Sequence, residues 1–419
     1  MGENKDIHSL VDHLFRHESG KMVATLTRVM GLNNLEAIQD IVQDTLVTAL
    51  NTWRNGQLPD NPAAWLYRVA RNRAIDLIRR GQRFKEIAPE YAYTLQSDFA
   101  LSSAFHHVFL ESEITDSQLR MIFACCHPSI PMESQVALTL KTLGGLSTSE
   151  IAHAFLTNEE TINKRIYRAK EKFRNQDVHL HIPQGEELSD RLDSVLKSIY
   201  LLFSEGYHSS HPSHVIREDL CHEAMRLCLL LAEHPQTNLP RTYALMSLMC
   251  FQASRLSARL DDNGHIVLMK YQDRERWFRP LIEKGHYFLR RASEPFEVST
   301  YHLEAIIASI HASASSFEST DWKSIYGFYE KLNLYQPNPV VALNKAIAAG
   351  YALGYETALQ EISAIDGLYG NPVYQVSLGE IYHKLGQMDL ARKHYEIALN
   401  ITASEAVRQL IQNKLSDLG

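Results

Sequence analysis

One stretch constrains this chain more than any other: Thr142 to Arg174, TLGGLSTSEIAHAFLTNEETINKRIYRAKEKFR. Its pattern predicts two helices joined by a short turn. Ser147 stands three residues before Glu150, the spacing of a capping box that opens a helix. Ile151, Ala152 and Phe155 follow at helical spacing, and Asn158 marks the break in LTNEE. In the second helix Ile162, Ile166, Ala169 and Phe173 fall on one stripe, which a core would bury. From Thr161 to Arg174, six basic residues (Lys164, Arg165, Arg168, Lys170, Lys172, Arg174) stand against one acid, Glu171. These charges must face away from the core. A basic helix of this kind suits a DNA major groove, where cations neutralise phosphates and Asn, Thr or Arg reach base edges. A solvated amphipathic helix would carry the same charge run, so the segment taken alone leaves both readings open.

A chain of 419 residues is long enough for two to four domains. Its formal charge of −7 is unexpected for a DNA binder until it is divided. Residues 1–85 hold 12 basic and 9 acidic side chains, and residues 132–176 hold 7 and 5, so about −12 must sit on the remainder. Basic modules joined to an acidic remainder suit conditional DNA affinity. No apolar run reaches the roughly 18–20 residues of a membrane span, and MGENKDIHSL lacks a signal-peptide core. The expectation is a cytoplasmic protein whose five cysteines are reduced. Adjacent Cys125 and Cys126 beside His127 have the wrong spacing for a zinc site, so helix packing is expected there. His208, His211 and His214 fall in a Ser/Pro-rich loop. No catalytic, metal or cofactor site is expected.

Towards the N-terminus, residues 7–30 read as a helix stopped by Gly31, with Asn34 expected to cap the next. That next helix, LEAIQDIVQDTLVTALNTW, has an apolar stripe from Leu35 to Ala49 and a polar face of Glu36, Gln39, Asp40, Gln43 and Asp44. A breaker-rich loop, NTWRNGQLPDNP, follows. Then comes PAAWLYRVARNRAIDLIRRGQR, in which Arg68, Arg71, Arg73, Arg79, Arg80 and Arg83 crowd one helix.

Three separated segments, in this order, resemble bacterial RNA polymerase sigma factors of the extracytoplasmic-function (ECF) type. AIQDIVQDTLVTAL resembles region 2.2. PxxWLYxVARNxAIDxxRR, the most specific match, resembles regions 2.3 and 2.4. GGLSTSEIAHAF…TINKRIYRAKEKFR resembles region 4, with Asn163-Lys164 where many such proteins have Lys-Ser. The resemblance implies an all-α protein. It would have a region 2 helical bundle over 1–85, a linker over 86–114, a region 4 helix-turn-helix over 115–176 and a second linker over 177–187. Asp40, Gln43 and Asp44 would dock on the β′ clamp helices of core RNA polymerase, with the β flap a further contact. Asn51, Trp53, Arg54 and Asn55 would meet an extruded −10 base, although Trp53 is equally suited to the core. Arg68, Arg71, Arg79 and Arg80 would follow the phosphates of melting promoter DNA. Thr161, Asn163, Lys164, Arg165, Tyr167 and Arg168 would read the −35 element.

Residues 188–299 read as a helical extension, with LDDNG as a hairpin or loop. IYLLFSEGY, LDDNG and YQDRERW resemble the extension of the ECF group with a tetratricopeptide-repeat-like (TPR-like) tail. Over 300–419 a pattern of about 33 residues recurs. Ile325, Ala358 and Ala391 align, as do Tyr329, Ile362 and Tyr395, and Leu332, Ile365 and Ala398. Such tails commonly take a peptide or protein partner, and a purely structural cap is the other reading. The expected function is promoter-specific initiation regulated in cis by the extension. The rival is a classical helix-turn-helix regulator with a TPR-like sensor, which leaves the region 2 pattern unexplained.

Overall fold

The computed structural model describes residues 3–53, 58–79, 98–155, 157–175, 178, 180–208, 216–262, 264–295, 297–402 and 405–418. Among these residues the secondary structure is helical, with no strand beyond one isolated bridge between Leu260 and Ile266. The chain forms two compact units. The first holds residues 1–210 and 219–237, and the second holds 211–218 and 238–419.

Unit one begins with α1 (Glu3–Met30), α2 (Leu35–Trp53) and α3 (Pro62–Arg79). Gly31 stops α1 as expected, at a φ of 83° that favours glycine. Asn34 lies in a 3₁₀ turn, and its side-chain amide donates to the Met30 carbonyl at 2.5 Å, closing α1. The α2 stripe is buried through Leu35, Ile38, Ile41, Val42, Thr45 and Ala49. Its end, Trp53, fits between Phe15 and Trp65, with ring centroids 5.7 and 5.5 Å away.

The stretch expected to be a plain linker contains a helix, α4 (Asp98–Val108). The next, α5 (Glu111–Cys125), starts before residue 115, where region 4 was expected to begin. Asp116 pairs with Arg120 at 2.7 Å and Arg28 at 3.1 Å. After α6 (Met132–Thr142) come α7 (Thr148–Ala154) and α8 (Glu159–Asn175), the pair foreseen from the sequence. Cys125 and Cys126 are buried between α5 and α6, their thiols near Thr142 and Thr139. Burial pushes both thiols up to about 12, so they pack as small apolar groups.

Two further helices complete unit one: α9 (Glu186–Tyr207) and α10, most of Glu218–Glu233. α9 packs on α5 and α6. Its Arg191 is 1 % exposed and donates to the Phe123 carbonyl at 3.0 Å and to Glu187 at 2.8 Å. Phe123 lies in the last turn of α5, where carbonyls lack partners within the helix. Arg191 therefore caps α5 from outside.

Unit two starts with α11 (Pro240–Ala253), α12 (Arg279–Ala292) and α13 (Thr300–Ser313). The LDDNG segment forms the expected tight loop, with Gly264 at φ 81° and the Leu260–Ile266 bridge at its base. Arg274, from YQDRERW, donates to the His311 and Ala314 carbonyls at 2.7 and 2.6 Å and lies 4.6 Å from the Trp277 ring. The motif thus fastens the loop onto the end of α13. Burial, with Arg255 and Arg274 nearby, lowers His311 to about 3 and keeps it neutral.

Six more helices follow: α14 (Trp322–Tyr335), α15 (Pro339–Ala352), α16 (Tyr355–Ser363), α17 (Pro372–Lys384), α18 (Met388–Ile401) and α19 (Glu405–Ser416). Ile325, Ala358 and Ala391 are each fully buried. Asn338 and Asn371 each precede a proline and cap the following helix, accepting from Val340 and Val373 backbone N–H groups at 2.8 and 2.9 Å. Gly379 lets α17 meet α18 closely, since a Cβ there would lie 2.5 Å from the Tyr395 ring. Gly379→Leu should therefore lower the stability of this unit by about 1–3 kcal/mol. Thermal unfolding with the Tyr395→Ala background as control checks this, because the smaller ring partner should recover part of the loss.

Candidate nucleic-acid interface

The helix-turn-helix forms through local chemistry visible in the sequence. Ser147 and Glu150 make the reciprocal capping box: the Glu150 N–H donates to Ser147 Oγ at 3.1 Å, and the Ser147 N–H donates to a Glu150 carboxylate oxygen at 2.6 Å. Asn158 caps α8, accepting from the Thr161 N–H at 2.8 Å. Ile162, Ile166, Ala169 and Phe173 are all buried. The opposite face is left to solvent. There Asn163, Lys164, Tyr167 and Arg168 are exposed and line one shallow groove with Glu160 and Glu171. Thr161 is half-buried at the N-terminal turn. Arg165 turns back towards α6, pairing with Glu133 and lying 5.6 Å from the Phe155 ring.

On α2, Asp40, Gln43 and Asp44 are exposed on one face, continuous with Glu36. Asp44 is tied to α3: Arg73 approaches its carboxylate at 3.5 Å and donates to Thr48 Oγ1 at 2.8 Å. The sequence placed Arg73 in the basic row without revealing this link. Arg68 and Arg79 are exposed on α3, and Arg71 is half-buried. Asn51 is exposed at the end of α2. Trp53 is 6 % exposed in the core, so its alternative packing role replaces the base-contact expectation. Arg54, Asn55 and Arg80 lie outside the described residues, as do His211 and His214.

A second set of contacts was not legible in the sequence. Lys170 of α8 donates to Gln39 Oε1 of α2 at 2.6 Å, and Arg174 donates to Glu36 at 2.8 Å. The basic helix and the acidic face, read separately as partners for other molecules, touch each other within unit one. Among the described residues no helix is long and apolar enough to cross a membrane.

Comparison with known proteins bears on both faces. The description "Sigma-70 region 2" matches residues 14–84, and "Sigma-70, region 4" matches 120–173. Residues 191–293 match a family of unknown function, DUF6596. An uncharacterised protein of Rhizobium meliloti is 36 % identical over 377 residues, covering 89 % of this chain and 88 % of that one. The ECF RNA polymerase sigma-E factor of Haemophilus influenzae is 29 % identical over 181 residues, 42 % of this chain and 89 % of its own. An ECF RNA polymerase sigma factor of Mycolicibacterium smegmatis is 26 % identical over 165 residues, 39 % of this chain and 60 % of its own. No solved structure matches.

Proposed function

For a chain that belongs to the ECF sigma factors, with a C-terminal extension after region 4, we propose a specific division of labour. The exposed face of Asp40, Gln43 and Asp44 docks on the β′ clamp helices of core RNA polymerase, and region 4 meets the β flap. Asn51 and the α3 arginines Arg68, Arg71 and Arg79, with Arg54, Asn55 and Arg80, engage the melting −10 element. Charge suffices for tracking the phosphates, so arginines crowded on one helix suit the task. Asn163, Lys164, Tyr167 and Arg168 enter the major groove at the −35 element, with Thr161 at the helix start. Arg165, held by Glu133, positions this helix and reaches DNA only if that pair opens. The mechanism is binding and melting rather than bond chemistry. The extension regulates initiation in cis.

One observation carries this reading. Four of the six side chains that line the α8 groove, Asn163, Lys164, Tyr167 and Arg168, are among those expected to read bases, and the opposite face of the helix is a buried stripe. The test is transcription from a mixed promoter library by core RNA polymerase with the full-length protein. The expected result is initiation at promoters sharing one −35 and one −10 sequence. Lys164→Ala and Arg168→Ala should each reduce the salt dependence of promoter binding by about one counterion. Specific DNA binding with no affinity for core polymerase would instead favour the classical regulator.

A further inference from the structure

We propose that unit two carries a binding site for a small monocarboxylic acid with an apolar body about the size of a benzene ring. The site goes beyond the sigma-factor reading above and does not depend on it. It is a cavity of about 150 Å³ that α11, α13 and α14 line together. That is the size of an engineered apolar cavity that admits benzene, or about five water molecules by volume. From α13, Glu304, Ile307, Ala308 and His311 line it at i, i+3, i+4 and i+7, one continuous face of the helix. From α11 and the turn after it come Phe251 and Arg255. Apolar lining with a few polar groups is the make-up of sites that hold a molecule by its body and orient it by its head.

His311 identifies the head. Its carbonyl accepts from Arg274, and its ring packs edge-on against Trp322 at 5.2 Å. Its Nδ1 is nevertheless buried with no hydrogen-bond partner among the described residues. Folded proteins leave few buried polar atoms unmet, because each one costs stability. Here the unmet atom belongs to a side chain that lines a cavity, where an entering group can meet it. The surroundings of His311 are positive. Arg255 and Arg274 both act on it, and both guanidiniums lie against the Trp277 ring, at 5.5 and 4.6 Å. A carboxylate oxygen satisfies both features, accepting from the Nδ1–H tautomer and neutralising the cations.

Glu304 limits the ligand to one such group. It stands two turns from His311 along α13, about 10 Å at 1.5 Å per residue, so a second carboxylate at that end meets a like charge. The site also gives a role to two sequence motifs. Arg274 and Trp277 of YQDRERW build the positive end, and Met269, between LDDNG and YQDRERW, lines the cavity.

Isothermal titration calorimetry of the full-length protein tests the site, with benzoate as the probe and benzamidine as a cation of the same shape. Benzoate should bind saturably with a Kd of about 1 mM, within reach of so small a ligand, and benzamidine at least about tenfold more weakly. Ala308→Leu puts a branched chain into the cavity and should abolish benzoate binding. His311→Phe keeps a ring and removes Nδ1, and should weaken benzoate by about tenfold or more, the loss of a hydrogen bond to a charged group. Circular dichroism shows which variants fold. If one does not, the other decides; if neither does, the comparison of benzoate with benzamidine on the wild type decides. Absence of saturable benzoate binding would mean that water alone fills the cavity and would overturn the site. Equal binding of benzamidine, or undiminished benzoate binding by a folded variant, would overturn it too.

Discussion

A chain ending at Gly185 should fail to fold its region 4 module, whereas a chain ending at Thr237 should keep it. The first cut falls where the family resemblance to a minimal sigma factor ends. Yet it removes α9, whose Leu192, Val195, Leu196, Ile199, Leu202 and Phe203 are each at most 1 % exposed. Burying such side chains is worth about 1.5–3 kcal/mol each. Their sum is comparable with the whole stability of a domain, about 5–15 kcal/mol. The cut also strips Arg191 from the Phe123 carbonyl, leaving an unpartnered acceptor in the α5 cap. Arg191→Ala in the full-length protein should cost about 3 kcal/mol through the cavity and the lost bond. Arg191→Met, which fills the volume and removes a desolvated charge, should cost about 1 kcal/mol or less. Circular dichroism of the two truncations, with thermal unfolding of the two point variants, measures all four. Cooperative unfolding of the Gly185 truncation at the wild-type temperature would show α9 to be dispensable. Tests of cis regulation should therefore cut after Thr237, so that lost activity reports regulation rather than lost structure.

The parts legible in the sequence were those fixed by neighbours along the chain. The Ser147–Glu150 box, the Asn158 break and the α8 stripe depend on residues three or four apart, and each appears where the spacing put it. Of the positions aligned by the recurrence in unit two, Ile325, Ala358 and Ala391 are each buried. Long-range contacts were not legible. Nothing near Arg191 announces that its target is Phe123, and nothing near Lys170 announces Gln39. Composition even misled at Arg165, where a basic residue in a basic run turns inward to Glu133. The α4 helix was missed although Leu101, Ala104, Phe105 and Val108 recur at i, i+3, i+4 and i+7, because this stripe is only about two turns long and stands in a segment read as a linker. Asn34 was read only as a cap for the helix after it, and its amide donates back to the Met30 carbonyl, a contact the spacing did not announce.

Glu18 should give the region 2 bundle a distinct acid sensitivity. Its side chain is buried on α1, where burial alone would raise its carboxyl. Hydrogen bonds from His17, Tyr67 and Lys21, with the Lys21 charge, outweigh burial and hold it at about 2, against an ordinary 4.5. Tyr67 lies on α3, so the carboxylate ties α1 to α3, and burial together with the nearby Glu18 carboxylate pushes the tyrosine hydroxyl up. A carboxyl lowered in the folded state binds its proton more readily when unfolded. Its stabilisation is therefore complete above pH 4.5 and is lost as pH falls towards 2. The size is about 3 kcal/mol, from about 1.4 kcal/mol per unit of pKa difference. Glu18→Gln keeps the shape and removes the charge. Denaturant unfolding of both proteins across pH should show a gap of about 3 kcal/mol at pH 7, closing progressively between about pH 4.5 and 2. Other carboxylates titrate in the same range, but they are common to both proteins and cancel in the difference. A gap that stays constant with pH would mean that the glutamine acts through packing, and that the Glu18 charge does not hold α1 to α3.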